Sequence, residues 1–203
     1  MNREKWQVCV LVPVLMVLAW SGVAPFDRLT WFMEVLPAFV GLAVLFATWR
    51  RFPLTPLVTV LIGFHMIILA VGGKYTYALV PAGDWVRDYF GLSRNHYDRL
   101  GHLAQGFVPA MIAREIFLRL HVVAKRGWLH FLIVCVCLAI SAVYELIEWA
   151  TALILGEASD SFLGTQGDVW DTQSDMFLAG VGAICAVVLL SKLHNRQLAA
   201  LGK

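Results

Sequence analysis

The sequence predicts an all-α protein, a polytopic bundle of about six helices crossing a membrane. Three observations lead there. Of 203 residues, 60% are hydrophobic and only 15% charged, whereas a water-soluble domain carries about 25% charged residues; the mean hydropathy is +0.72. Six apolar runs approach the roughly 20 residues a helix needs to cross the hydrocarbon core. The residue-by-residue alternation of a membrane barrel is absent. Since backbone N–H and C=O groups in lipid must pair within their own segment, these runs are expected to be helices.

The spans fall in order at about residues 8–23, 31–48, 56–73, 98–120, 128–155 and 173–193, and 1–203 is read as one integral membrane domain. Arg3 and Lys5 ahead of the first run resemble the start of a signal peptide. A cut after Ala24 would leave Pro25 at the new N-terminus, a poor cleavage context, so a retained helix is expected. The fourth run is the most polar. The four cysteines (Cys9, Cys135, Cys137, Cys185) all lie in apolar runs, where a thiol behaves as a small hydrophobe, and no disulfide framework or zinc knuckle follows. A net charge of +2 excludes a broad nucleic-acid-binding surface. Membrane lipids are the expected partners.

Lys and Arg set the expected orientation, because they concentrate on the cytoplasmic side. The N-terminus, the second and fourth loops, the inner half of the fourth span and the C-terminus together carry eleven, including Arg50, Arg51, Arg114, Arg119, Lys125 and Lys192. The other side carries five: Arg28, Lys74, Arg87, Arg94 and Arg99. Both termini are therefore expected in the cytoplasm of a bacterial cell, the protein sitting in its inner membrane with the first, third and fifth loops outside. Trp6, Trp20, Trp31, Trp49, Trp128 and Trp149 fall near span ends, as an aromatic belt requires. The third loop, residues 74–97, is rich in aromatic residues (Tyr75, Tyr77, Trp85, Tyr89, Phe90) and is expected to dip into the interface.

On this topology most of the acids and imidazoles of the spans gather at the outer end. Asp98 and His102 are four apart and share a helix face; Glu145 and Glu148 are three apart; Asp171 and Asp175 repeat the spacing of four at the start of the last span. Charged groups facing lipid cost about 2.5–3.5 kcal/mol each, so they are expected to face the bundle interior. His102, Asp98, Glu145 and Glu148 are the candidate catalytic residues, and His96, His102, Glu145, Glu148, Asp168, Asp171 and Asp175 the candidate metal ligands. A mixed His/Asp/Glu set suits a divalent metal ion such as Mg²⁺, Mn²⁺, Zn²⁺ or iron, and the spacing selects none of them. Bland readings stand beside these. His96, Asp98 and His102 also fit helix capping, Asp168 to Asp175 fit capping and loop solubility, and the glutamates fit structural pairing, with Arg99 or His102 as partner. His65 reads as a satisfied interior residue, Glu34 as interfacial, and Arg114, Glu115 and Arg119 as an inner cluster reaching the headgroups.

Three motifs carry a resemblance. Asn95-His96-Tyr97-Asp98-Arg99 with His102, Tyr144-Glu145-Leu146-Ile147-Glu148-Trp149, and Gly164-Thr165-Gln166-Gly167-Asp168 through Trp170-Asp171-Thr172-Gln173-Ser174-Asp175-Met176 resemble the YjdF family over nearly the whole chain. That family comprises predicted bacterial inner-membrane proteins of uncharacterised function, so the resemblance implies location and membership. A weaker likeness is to VanZ-like membrane proteins, through Asp98, His102, Glu145 and Asp175 with Gly182. Glu148 and Ala179 depart from that pattern, and only a shared architecture is implied.

Three functions stay open on the residues. One is an enzyme acting on a lipid or lipid-linked substrate at the outer leaflet, by acid–base groups or a metal. The second is a cation- or proton-coupled transporter. The third is a scaffold whose polar network locks helix packing.

Overall fold

The computed structural model describes residues 3–156 and 160–201, and their side chains except at 3–5, 126, 160 and 161. The orienting charges of Arg3, Lys5, Arg126 and Lys203, and the Asp160 side chain, lie outside that description. All regular structure among the described residues is helical: α1 (Arg3–Gly22), α2 (Arg28–Thr48), α3 (Pro56–Tyr75), a 3₁₀ turn (Tyr77–Leu79), α4 (Pro81–Phe90), α5 (Tyr97–Arg119), α6 (Arg126–Leu155), α7 (Asp160–Leu163) and α8 (Asp171–Leu201).

Among the described residues four helices are long and apolar enough to cross a membrane: α2, α3, α6 and α8. In α1 the apolar stretch covers only Trp6–Gly22, and α5 carries the polar residues that lower its hydropathy. With 30 and 31 residues, α6 and α8 are each about 45 Å long at 1.5 Å per residue, longer than the roughly 30 Å hydrocarbon core.

Local signals set the helix ends. Asp27 caps α2 by accepting a hydrogen bond from Thr30 N at 2.7 Å, satisfying a backbone donor that the first turn leaves free. Thr55 caps α3, and Pro56 occupies its first turn, where its fixed φ suits the helix. Gly91 ends α4 at φ 64°, a left-handed value that glycine adopts without strain.

The core runs through α1, α3, α5, α6 and α8, with Val14, Met66, Met111, Ile133 and Ala183 among its buried members. The most extensive interface pairs α5 with α8, and α3 links this pair to α1 and α2. Small residues let α5 and α8 approach closely: a Cβ on Gly106 would overlap the Ala179 carbonyl, and one on Gly182 the Leu103 carbonyl. Such contact is how membrane helices pair, since lipid supplies no hydrophobic drive for their association.

The third loop folds into the amphipathic helix α4. Trp85 (74% exposed), Val86, Tyr89 (84% exposed) and Phe90 stand outward, while Arg87 pairs with Asp84 and Asp88 at 2.8 Å each. Buried Asn95 anchors the helix by donating to Val80 O at 3.0 Å and Asp84 Oδ1 at 2.9 Å.

Candidate functional site

Five segments deliver polar groups to one end of the bundle. Asp98 and His102 come from the first turns of α5, Glu145 and Glu148 from the later half of α6, and Asp171 and Asp175 from the start of α8. Glu34 comes from α2, and Arg94 and Asn95 from the strap before α5. The shared end follows from alternating helix direction: the beginnings of α2, α5 and α8 lie beside the end of α6.

His102 is the hub. Its Nε2 faces Asp98 Oδ1 at 3.4 Å and Asp175 Oδ2 at 3.9 Å. Its Nδ1 lies 3.1 Å from Gln105 Oε1 and 3.8 Å from Glu145 Oε1. All four titratable side chains are buried. One ligand atom each from Asp98, His102 and Asp175 lies within 4.8 Å of the others.

Beside the hub lies an ionic clasp. Arg99 donates to Asp175 Oδ1 at 2.6 Å, Asp168 Oδ2 at 2.8 Å and Asp171 Oδ1 at 3.0 Å. Arg94 donates to Asp171 Oδ1 at 2.8 Å and to the Thr165 carbonyl at 2.9 Å. The loop before α8 is pinned by a reciprocal pair: Asn95 N donates to Gln166 Oε1 at 3.1 Å, and Gln166 Nε2 returns a bond to Asn95 O at 2.8 Å. Gly164, Gln166 and Gly167 all have positive φ, so the glycines relieve a turn that other residues would strain. The Asp168 carboxyl titrates below the ordinary aspartate value, chiefly because Trp170 N donates to it, with Arg99 and Arg94 adding to the effect.

A cavity of about 590 Å³ opens from this cluster between α2, α3, α5 and α6, within the range of small-molecule sites. Its walls are apolar, including Ile62, Met66, Leu69, Ile112 and Val136, and its polar end carries Glu34, Asp98, His102, Glu148, Tyr77 and Tyr144. Tyr144 OH donates to Glu34 Oε2 at 3.3 Å, joining α6 to α2. Elsewhere α2 packs on α3, and α6 on α5 and α8, and the two do not form an extended packed pair. Between them Ile140, Val143 and Ile147 line the cavity yet are 41%, 56% and 43% exposed. The cavity is therefore open sideways.

The structure brings together His102, Asp98, Glu145 and Asp175, and sets Glu148 at the cavity wall. Asp168 and Asp171 belong to the arginine clasp, and Arg99 serves them and Asp175 rather than the α6 glutamates. His96 stands before α5 in the field of Arg94, Arg99 and Asp168; partial burial and the two arginines hold its imidazole below the usual value. One bland expectation changes: Glu34 is buried at the cavity rather than interfacial. His65 is interior, and it lines the same cavity.

The inner cluster of Arg114, Glu115 and Arg119 belongs to a second polar network at the opposite end of α5, whose partners Thr55, His194 and Asn195 sequence reasoning missed. Glu115 and His194 are both 0% exposed, with His194 Nε2 3.0 Å from Glu115 Oε2. Glu115 also accepts from Thr55 Oγ1 at 2.7 Å and Arg119 NH1 at 2.7 Å. Arg114, buried, donates to Asn195 Oδ1 at 2.7 Å and lies 2.8 Å from His194 Nδ1. These side chains do not reach outward to headgroups, as their position near a span end suggests. They tie α3, α5 and α8 together internally.

An all-helical bundle with four long apolar helices and an interior polar cluster defines a multi-pass membrane protein. The family described as "Predicted membrane protein (DUF2238)" matches residues 6–196. The chain is 55% identical over 187 residues to the "Inner membrane protein YjdF" of Escherichia coli (strain K12), covering 92% of this chain and 90% of that protein. The chain belongs to this family. No solved structure matches it.

Proposed function

We propose that this chain is an enzyme of the bacterial inner membrane that admits a lipid or lipid-linked substrate sideways between α2 and α6. The supporting observation is the cavity: apolar walls suited to a hydrocarbon chain, an imidazole and carboxylates at one end, and a flank of exposed apolar side chains. On this reading all six long helices cross the membrane, α5 being tolerated because its polar face is turned inward. Both termini lie in the cytoplasm and the polar end opens at the outer leaflet, where the substrate's head sits against Asp98, His102 and Glu148. These groups are placed to move protons at the head while the walls exclude water. The name of the Escherichia coli relative, an inner membrane protein, supports the inner-membrane location.

Transport is less well supported. The two polar networks occupy opposite ends of α5, with the close seam of Gly106 on Ala179 and Gly182 on Leu103 between them, and His65 on the cavity wall is the group that would have to bridge them.

Native mass spectrometry of protein released from lipid nanodiscs tests the reading. Wild-type protein is expected to retain one lipid per chain, and Ile112→Trp, which fills the cavity, to lose it without loss of fold. Equal lipid retention by both would contradict a cavity-bound lipid.

A further inference from the structure

We infer that Asp98, His102 and Asp175 bind a single divalent cation, with Glu145 and Gln105 orienting the imidazole from its far side. This deepens the reading above by assigning a metal to the polar end of the same cavity.

The imidazole faces acceptors on both edges. Gln105 Oε1 lies 3.1 Å from Nδ1; with Nδ1–H donating to it, Nε2 of the neutral ring directs a lone pair at Asp98 Oδ1 and Asp175 Oδ2. A lone pair facing two carboxylate oxygens is repulsive unless a positive charge stands between them. A proton on Nε2 would supply that charge across gaps of 3.4 and 3.9 Å, longer than the roughly 2.7–2.9 Å of a charge-assisted hydrogen bond. A metal ion fits the spacing better, since its ligand atoms stand apart around a common centre. Metal-bound histidines typically place their second nitrogen against a carboxylate or carbonyl, as Nδ1 is placed here.

An independent sign is Glu145. It is more than nine-tenths buried, and its Oε1 accepts no hydrogen bond while lying 3.8 Å from His102 Nδ1. A buried carboxylate oxygen left unpaired is costly, and a cation on Nε2 offsets that cost by withdrawing electron density from the ring, which makes the Nδ1 edge facing Glu145 more positive. Around the hub stand three carboxylates (Asp98, Glu145, Asp175), and Arg99 compensates only one oxygen of Asp175. The surplus negative charge suits a dication. One nitrogen and two oxygen donors suit Mn²⁺, Mg²⁺, Zn²⁺ or Fe²⁺ rather than a soft ion. The placement makes Glu145 a positioning residue, in contrast to the ligand role its sequence position suggests.

Mn²⁺ titrated into purified full-length protein in detergent, read by electron paramagnetic resonance, tests this. One saturable Mn²⁺ per chain is expected, displaced by Mg²⁺ or Zn²⁺, with nitrogen modulation from a directly bound imidazole. His102→Ala and Asp98→Asn should abolish it, and Glu145→Gln should weaken it about tenfold at unchanged stoichiometry. Asp88→Asn, on exposed α4, should bind normally. Absence of saturable binding by the wild type, or bound Mn²⁺ without nitrogen modulation, would overturn the inference; neither result needs a variant to fold. The titration uses no lipid, so its failure leaves the lipid reading intact, and an empty cavity in the nanodisc experiment leaves metal binding intact.

Discussion

Arg99 holds Asp175 by one oxygen, at 2.6 Å from Oδ1, and the other oxygen faces His102 Nε2 across 3.9 Å. A single aspartate thus joins the arginine clasp to the imidazole hub. The clasp fixes the start of α8 and the hub presents chemistry to the cavity, so their geometry is shared. Arg99→Lys keeps the charge but loses the fork that reaches Asp175, Asp168 and Asp171 at once. Faster proteolysis in the loop at residues 164–170 is the expected result, measured by limited digestion beside wild type.

The seam between α5 and α8 tolerates no added volume. Gly106→Val should destabilise the bundle by about 3 kcal/mol or more, because the obstructing atom is a backbone carbonyl that cannot swing away. Gly127→Ala, in the first turn of α6 with open space around its Cβ, should be neutral or stabilising by up to about 1 kcal/mol. Thermal unfolding in detergent distinguishes the two.

Removing Glu115 should cost about 3–5 kcal/mol, the usual penalty for breaking a buried charged network by deleting one partner. Thr55, Arg119 and His194 would all lose their acceptor. Hydrogen exchange should rise first at the end of α8 and the start of α3 in Glu115→Ala, while the helices around His102 stay protected.

Acid should loosen the start of α2. The Asp27 carboxyl is held below its ordinary value of 3.8, first by the hydrogen bond from Thr30 N. Its folded pKa is depressed, so its capping contribution is fully present above pH 3.8 and is lost as pH falls through the lower folded value. Asp27→Ala should cost about 1 kcal/mol at pH 7, and the gap from wild type should close as pH falls below 3.8 in paired thermal melts.

Trp85, Tyr89 and Phe90 of α4 project away from the bundle, which suits a helix lying in the headgroup region. A spin label at Tyr89→Cys should be more accessible to oxygen than to a water-soluble nickel reagent, and one at Asp88→Cys the reverse. Equal accessibility at both positions would contradict an interfacial α4.

Much of this was readable in the sequence. Apolar runs of span length can only be helices, and the spacings Asp98/His102, Glu145/Glu148 and Asp171/Asp175 each place a pair on one face. Alternating helix direction then puts them at one end. What stayed hidden depends on contacts between residues far apart in the chain. Glu115 meets His194 across 79 positions, and nothing near His194 sets it apart from a polar tail. Arg94 reads as a loop charge and Arg99 as a partner for the α6 glutamates until the Gly164–Gly167 turn brings Asp168 and Asp171 to them. The cavity was invisible because it is space left between helices, set by how α2 and α6 stand apart, and no residue spacing records that. Glu34 was misplaced for the same reason.

The convergence of imidazole and carboxylates from α5, α6 and α8 is the claim on which the account turns, and paired cysteines measure it. In a chain freed of Cys9, Cys135, Cys137 and Cys185, a short bifunctional thiol reagent should link His102→Cys to Glu145→Cys in native membranes. Cleavage between α5 and α6 would then leave the fragments joined. Pairing Glu115→Cys, at the far end of α5, with Glu145→Cys should give none. Efficient linkage of the first pair alone is the expected result; failure of that pair to link in folded protein, or equal linkage of both, would contradict the convergence.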